Sequence, residues 1–372
     1  MNKYLLLFVL LTLWSCSHSE KSIENLELES STKEIQASEF TDIVDLSMES
    51  DSIKIPPILF VVNKLVSNND LVIALEKSSS DTVFRVFNTS NGEYLGGFGF
   101  LGPGPLDLEF SSIATRSVSL EGNTLKVSDL KSLRTLLIDS KGIIANGKVS
   151  NKHVKLVSRT PLPGALIRMD NPTLIGDSII YGKPGETAKL FATYNLNDRS
   201  ISDALDFPNY RPDIPTTNHS ELYSKVFRYS PLQEKMVLAF RLFPVVRIYN
   251  LENSEYLELR YESKYDQEKI EYEGQFINTS PLFNYYSAID ITDKGIYASY
   301  DEFRRIWDND GTFEVLRGTD NRELHSYDWQ GNPRSKLVFP RPAVRYTTTP
   351  DDSKLFYLKP EVEDYLYFHK IN

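Results

Sequence analysis

The feature that most constrains this chain is a recurring unit: an apolar strand ends in Asn or Asp, a polar turn follows, and a second strand begins. It appears in VFRVFNTSNGEYLGG around Asn88, RTLLIDSKGII around Asp139 and LFATYNLNDRSI around Asn195. It returns in VVRIYNLENSEYLEL around Asn250 and ELHSYDWQGNPRSKLVF around Asp328. Asn and Asp suit such turns because they tolerate unusual backbone angles and hydrogen-bond the backbone locally. Successive anchors are 51, 56, 55 and 78 residues apart, so the last interval needs an insertion. Residues 264–285, the least strand-like part of the chain, are the candidate for it. A unit of ~50–55 residues with about four strands is the size of a propeller blade. The five anchored units and the C-terminal block DDSKLFYLKPEVEDYLYFHKIN make six. That final block is short of a strand, and residues 40–50, FTDIVDLSMES, are expected to complete it and remove a free sheet edge. The expected fold is therefore all-β, a six-bladed β-propeller of four-stranded antiparallel blades. Its ring is closed by an N-terminal strand that completes the last blade, and the domain spans residues 39–372. A sandwich pair or a longer solenoid is the competing all-β arrangement.

The N-terminal residues predict an address. Lys3 precedes an apolar run from Leu5 to Leu13, which has signal-peptide length and falls well short of the ~20 residues a spanning helix needs. The run ends in Leu13-Trp14-Ser15-Cys16, similar to a bacterial lipobox, with Trp14 bulkier than usual. Residues 1–15 are read as a lipoprotein signal peptide. Cys16, the only cysteine in the chain, is read as the lipidated N-terminus. With no second cysteine there is no disulfide framework and no Cys-rich metal site, so the domain must rely on its core. Residues 16–38 are polar and Ser/Glu-rich, and read as a lipidated flexible tether. Ser17 rather than Asp after the cysteine favours the outer membrane, facing either the periplasm or the outside.

Three features together resemble the TolB-like six-bladed propeller lipoproteins of Gram-negative bacteria. They are the lipobox at Cys16, the segment Gly99-Phe100-Leu101-Gly102-Pro103-Gly104-Pro105 followed by Phe110, and Thr349-Pro350-Asp351-Asp352-Ser353-Lys354-Leu355-Phe356-Tyr357. The second is a degraded form of the family's G-x-x-G-x-G-P-G-E-F stretch, departing at Pro105 and Leu106. The third is similar to its P-D-G-x-x-L-Y hairpin, with Asp352 in place of Gly. The resemblance covers nearly the whole mature chain and implies a fold and an address rather than an activity.

Residues Gly97-Phe98-Gly99-Phe100-Leu101-Gly102 formally match the dinucleotide pattern G-x-G-x-x-G. That pattern needs a helix after the glycines, with its N-terminus facing phosphate. Pro103 and Pro105 follow instead, and proline disfavours helix both at its own position and at the one before. The segment reads as a crossover between blades, where glycines let backbones approach.

No linear motif supplies chemistry. Gly176-Asp177-Ser178-Ile179-Ile180 lacks the last glycine of a nucleophile elbow. None of His18, His153, His219, His325 and His369 pairs with another at metal-ligand spacing, and no calcium-binding loop pattern occurs. The formal net charge is -10, with 41 basic against 51 acidic residues and no basic stripe, which argues against a nucleic-acid partner. Propellers bind through loops of several blades, so site residues are scattered in sequence. Arg241, flanked by apolar runs, and Tyr300, Arg304 and Arg305 in or after IYASYDEFRR are the candidate ligand-binding residues.

Two functions are expected from these readings. The first is a membrane-anchored envelope lipoprotein, not an enzyme, whose propeller binds or scaffolds a protein, peptide or glycan. The alternative is a metal-dependent hydrolase of lactonase or esterase type, or a lyase, with calcium held in the central channel by ligands from separate blades.

Overall fold

The computed structural model describes residues 30–55, 62–76, 82–100, 118–121, 123–129, 134–158, 170–176, 178–182, 189–263, 272–273, 276–277, 282–307, 312–317, 322–339, 345–359 and 364–371. They build seven sheets, a two-stranded one and six that each contain four antiparallel strands in succession. The first comprises Val62–Ser67, Leu71–Glu76, Thr82–Asn88 and Tyr94–Phe100. The second comprises Val118–Glu121, Thr124–Asp129, Arg134–Asp139 and Val154–Ser158. The third comprises Asp170–Ile175, Ser178–Gly182, Lys189–Asn195 and Ile201–Asp206. The fourth comprises Lys225–Ser230, Lys235–Phe240, Val245–Asn250 and Tyr256–Tyr261. The fifth comprises Asn284–Ile291, Gly295–Trp307, Arg322–Asp328 and Pro333–Phe339. The sixth takes Arg345–Thr348, Lys354–Leu358 and Tyr365–Lys370 from the C-terminus and Asp51–Lys54 from the N-terminal region.

Sheet stacking explains why the second strands read as unbroken apolar runs rather than alternating ones. Side chains on a strand point to opposite faces in turn, and here both faces are covered. Val237 and Ala239 pack toward Ile289 and Ala298 of the fifth sheet. Their neighbours Met236, Leu238 and Phe240 pack toward Leu190 and Phe191 of the third. Leu71, Ile73 and Leu75 face Leu125, Val127 and Leu136 of the second sheet. Val72 and Ala74 face Phe356 and Leu358 of the sixth. Leu355 and Tyr357 in turn face Tyr297 and Leu324 of the fifth. First strands of neighbouring sheets lie side by side at the one–two, three–four, four–five, five–six and six–one junctions.

The anchors work as local chemistry demands. Asn88, Asn195, Asn250 and Asp328 each accept the backbone N–H two residues on, at 2.8, 2.8, 2.9 and 2.9 Å. Asp139 departs from the expected turn. Its carboxylate accepts Gly142 N at 2.9 Å and caps the helix Ser140–Asn146, which replaces the hairpin between third and fourth strands. One property serves both arrangements: a short side-chain oxygen that satisfies an unpaired N–H just ahead.

The N-terminal region is where expectation and structure part. Residues 40–50 do not complete the sixth sheet; Asp51–Lys54 does, antiparallel to Tyr365–Phe368. Asp42–Asp45 instead runs parallel along Ser335–Val338, the outer strand of the fifth sheet. Ser31–Ile35, expected within the tether, runs parallel along Leu257–Tyr261, the outer strand of the fourth. The segment is a strap over three consecutive outer edges. It delivers Ile35 and Phe40 to the four–five junction, Val44 and Leu46 to the five–six junction, and Ile55 to the six–one junction. Gly92 marks how closely the first and sixth sheets meet: its φ is +71°, and a Cβ there would lie 2.6 Å from the Lys54 carbonyl oxygen.

Residues 97–100, expected in a crossover, belong to the outer strand of the first sheet, and residues 101–110 lie outside the described residues. A Cβ on Gly97 would fall 2.7 Å from the Phe84 carbonyl oxygen of the neighbouring strand, so close backbone approach accounts for that glycine. Within the expected insertion at 264–285, Tyr272–Glu273 pairs with Phe276–Ile277 as a small hairpin whose Ile277 is buried against the fourth sheet.

Candidate functional site

The six first strands begin at one end of the assembly, at Val62, Val118, Asp170, Lys225, Asn284 and Arg345. The opposite end carries the anchored turns. At the first end the strand Gly295–Trp307 outruns its sheet and pairs with Phe313–Arg317. This hairpin concentrates cations in an acidic protein. Buried Asp301 clamps one of them and the first residue of the next strand, with Arg317 Nη1 on Oδ1 and Arg322 Nη2 on Oδ2, both at 3.1 Å. Arg304 lays its guanidinium 5.1 Å from the Phe283 ring centre. Arg345 opens the first strand of the sixth sheet, and its pKa is pulled down by burial and then by the positive charge of Arg322.

Three of the expected binding residues reach this end. Arg241 sits just after the second strand of the fourth sheet with its side chain exposed. Its backbone N donates to Ser224 O and its carbonyl accepts Tyr285 N, both at 2.8 Å, which ties the fourth sheet to the fifth. Arg304 and Arg305 lie in the hairpin. Tyr300 is separated from them. It is fully buried among Tyr261, Tyr286 and His325, with ring centres at 4.9, 5.3 and 4.7 Å, and burial pushes its pKa upward.

A polar group deeper between the first strands was not found from sequence. Arg228 lies in the first strand of the fourth sheet, Asp290 in that of the fifth, and Tyr346 in that of the sixth. Asp290 Oδ2 accepts Thr348 N at 2.8 Å and Thr348 Oγ1 at 3.1 Å, which links the fifth and sixth sheets. Tyr346 donates its hydroxyl to Tyr297 O at 3.3 Å. Arg228 donates to the Phe227 carbonyl at 3.2 Å. Its pKa is lowered by burial, against the opposing pull of Asp290. Part of its surface is nevertheless accessible. The one sequence signal was a cation inside the strand KVFRYS, and nothing local separates it from an exposed arginine.

Among the described residues, no group of three or more His, Cys, Asp or Glu side chains is arranged to hold a metal ion. The four described histidines each have a protein partner. His153 Nδ1 meets Ser150, His219 Nε2 meets Ile214 O at 3.0 Å, His325 Nε2 meets Glu323 at 2.9 Å, and His369 Nδ1 meets Glu49 O at 2.9 Å. His18 and Cys16 lie outside the described residues.

Successive four-stranded meanders, first strands side by side and connections gathered at one end define a β-propeller-like protein. The family model for TolB-like 6-blade propeller-like proteins matches residues 61–344, and the chain belongs to that family. Among solved structures it is similar to a member of the DUF4221 family from Bacteroides vulgatus. The two share 11% identity over 87% of this chain and 96% of that one, with a TM-score of 0.55. It is also similar to a protein of Bacteroides fragilis described as exported, at 13% identity over 92% of this chain and 100% of that one, with a TM-score of 0.51. At these identities the likeness concerns the fold. No curated protein matches the chain.

Proposed function

We propose that this protein is an outer-membrane lipoprotein, anchored through Cys16, whose propeller is a non-enzymatic binding module for a protein, peptide or glycan of the cell envelope. In this reading the six blades form a closed ring, and Asp51–Lys54 fastens the last blade to the N-terminal region. The observation that carries the proposal is the course of the strap. Ser31–Ile35 and Asp42–Asp45 pair with the outer strands of the fourth and fifth blades, and Asp51–Lys54 supplies the outer strand of the sixth. An anchor drawn off at the rim leaves both ends available to a partner. The exported neighbour supports an address outside the cytoplasm, and no helix among the described residues is long and apolar enough to cross a membrane.

The test is palmitate labelling of the wild-type chain and of Cys16→Ser, followed by photocrosslinking in intact envelopes from positions 241 and 305. Label lost in the variant, with a discrete crosslinked partner in the wild type, is the expected result. A thermal melt with EDTA and then excess calcium addresses metal-dependent hydrolysis. A ligand at ~100 times its dissociation constant adds about 2.7 kcal/mol, which a melt resolves. A calcium-dependent rise reversed by EDTA, with turnover of a lactone or ester, would overturn the binding-module reading.

A further inference from the structure

We infer that Arg228 is the recognition residue of an anion site within the propeller, which takes a carboxylate or phosphate group between the first strands of the fourth, fifth and sixth blades. The inference rests on the binding-module reading and names the chemistry of its ligand.

The starting point is an imbalance around Arg228. A guanidinium enclosed by protein is ordinarily compensated by a carboxylate in bidentate contact, because its five donors lose water on burial. Three other arginines among the described residues are compensated by a carboxylate. Arg247 is held by Glu258 at 2.7 Å, Arg85 by Glu76 at 3.1 Å, and Arg334 by Asp352 at 2.8 Å. Arg228 has no ion-pair partner among the described residues, and one carbonyl, Phe227 O at 3.2 Å, takes a single donor. Asp290 is the acidic neighbour from the next blade, but it makes no salt bridge with Arg228 and its Oδ2 is committed to Thr348. Four donors of the fork are left for something else.

The surroundings select the sign of the ligand. Arg345 and Arg322 stand close enough that the charge of one depresses the pKa of the other. Tyr346 follows Arg345 on the first strand of the sixth blade, and the charges of Arg228 and Arg322 both pull its pKa down against burial. Asp301 offsets the charge of Arg322 and Arg317. The whole chain is acidic, with 51 Asp and Glu against 41 Lys and Arg, so Arg228 and Arg345 on two first strands, with Arg322 at the start of the third strand of the fifth blade, are a local reversal of sign. Such a reversal in an enclosed site raises the local concentration of anions and strengthens each charge-assisted contact. Arginine rather than lysine suits planar, two-pronged recognition of carboxylate or phosphate.

The experiment is anion binding by the purified domain at constant ionic strength, followed by melting temperature and calorimetry. The probes are inorganic phosphate, tricarballylate and chloride. Wild type is expected to be stabilised by phosphate or tricarballylate over chloride. Phosphate alone assigns a phosphate-bearing ligand, and tricarballylate alone a carboxylate-bearing one. Arg228→Gln is expected to weaken that binding at least tenfold with an unchanged circular dichroism spectrum, and Arg228→Lys to fall between. A second readout needs no variant: phenylglyoxal modification of Arg228 in wild type, located by mass spectrometry, should slow when the anion is saturating. Equal melting in all three salts overturns the inference, as does equal affinity in Arg228→Gln or modification unaffected by anion. Those failures would leave envelope crosslinking from positions 241 and 305 untouched, so the anion site and the binding-module reading fall separately.

Discussion

The Tyr297 hydroxyl donates a 2.8 Å hydrogen bond to Asp352, across the junction of the fifth and sixth blades. The same carboxylate accepts Thr292 Oγ1 at 3.0 Å and Arg334 Nη1 at 2.8 Å. Asp352 occupies the turn position where the family hairpin has Gly, and it keeps the left-handed backbone that Gly would adopt, with φ +66°. The strain of that conformation is tolerated because the side chain ties two blades together. Asp352→Gly relieves the strain yet orphans three donors, and buried donors left unpaired each cost roughly 1–3 kcal/mol. Asp352→Gly is therefore expected to lower stability by about 3 kcal/mol in urea unfolding, and Asp352→Ala, which keeps the strained backbone, by more. A glycine variant as stable as wild type would show that the junction does not depend on this carboxylate.

Within the fourth blade, Arg247 and Glu258 form an ion pair whose side chains are 4% and 3% exposed. Arg247 also donates to the Tyr249 hydroxyl at 2.9 Å and stacks 4.1 Å from the Tyr256 ring centre, while Tyr210 donates to Glu258. Removing one member of such a pair strands the other charge, at a cost of about 3–5 kcal/mol, whereas replacing both with apolar residues can be close to neutral. Glu258→Leu, which strands Arg247, should destabilise strongly; Arg247→Met should cost less, because Glu258 keeps Arg260 at 2.7 Å, and the double variant should lose much less than their sum. An additive double-mutant cycle would mean that the two charges are not coupled.

The strap predicts a sharp contrast between neighbouring side chains. Phe40 is 5% exposed and packs against Tyr261, Tyr327 and His325, while Met48 is 83% exposed. Phe40→Ala is expected to cost about 3 kcal/mol through lost burial and the cavity left behind. Met48→Ala is expected to stay within about 0.5 kcal/mol of wild type. A chain beginning at Ser50 keeps Asp51–Lys54 on the sixth blade but bares the outer edges of the fourth and fifth blades. It should associate, because uncovered strand edges are templates for pairing. Light scattering against a chain beginning at Ser30 reads this directly, and a monomeric short chain would refute it.

The parts of the fold legible in sequence are those whose chemistry is local. Asn88, Asn195, Asn250 and Asp328 announce their turns because each bonds a backbone N–H two residues away. Asp139 kept the residue type and changed the element, since a helix cap and an Asx turn ask for the same oxygen. The strap was not legible. Ser31–Ile35 has one buried side chain, Ile35, and its partners Leu257–Tyr261 are more than 200 residues away, so neither periodicity nor composition marks it as a strand. FTDIVDLSMES reads as strand-forming in sequence but pairs one blade away from the expected partner, because a parallel edge addition and a strand that completes a sheet have the same apolar pattern. At the candidate site, Arg241, Arg304 and Arg305 stand out in sequence through their unusual neighbours. Arg228, Asp290 and Tyr346 were missed because three first strands bring them together from positions 62 and 56 residues apart.

The His325 site predicts a pH dependence. This imidazole is completely buried in an aromatic surround of Phe40, Tyr261, Tyr286, Tyr300 and Tyr327. Its polar neighbours are Glu323, 2.9 Å from Nε2, and the Tyr286 and Tyr327 hydroxyls, 3.4 and 3.5 Å from Nδ1. Lys336 lies behind Glu323 at 3.4 Å. Burial pulls the His325 pKa down, and Glu323 only partly offsets it. The unfolded chain therefore takes up this proton at a higher pH than the native one. As pH falls below about 6.5, the unfolded state binds more protons and stability drops, until the folded pKa is reached. Each unit between the two values is worth about 1.4 kcal/mol. Glu323 acts in a lower window: its pKa is depressed, so its contribution is present above 4.5 and is lost as pH falls below that. Urea midpoints at pH 8, 6.5 and 5.5 should fall in that order for wild type. His325→Phe removes the group that must stay neutral, and its midpoints should decline less over the same interval. Equal slopes in the two proteins would place the acid sensitivity elsewhere in the propeller.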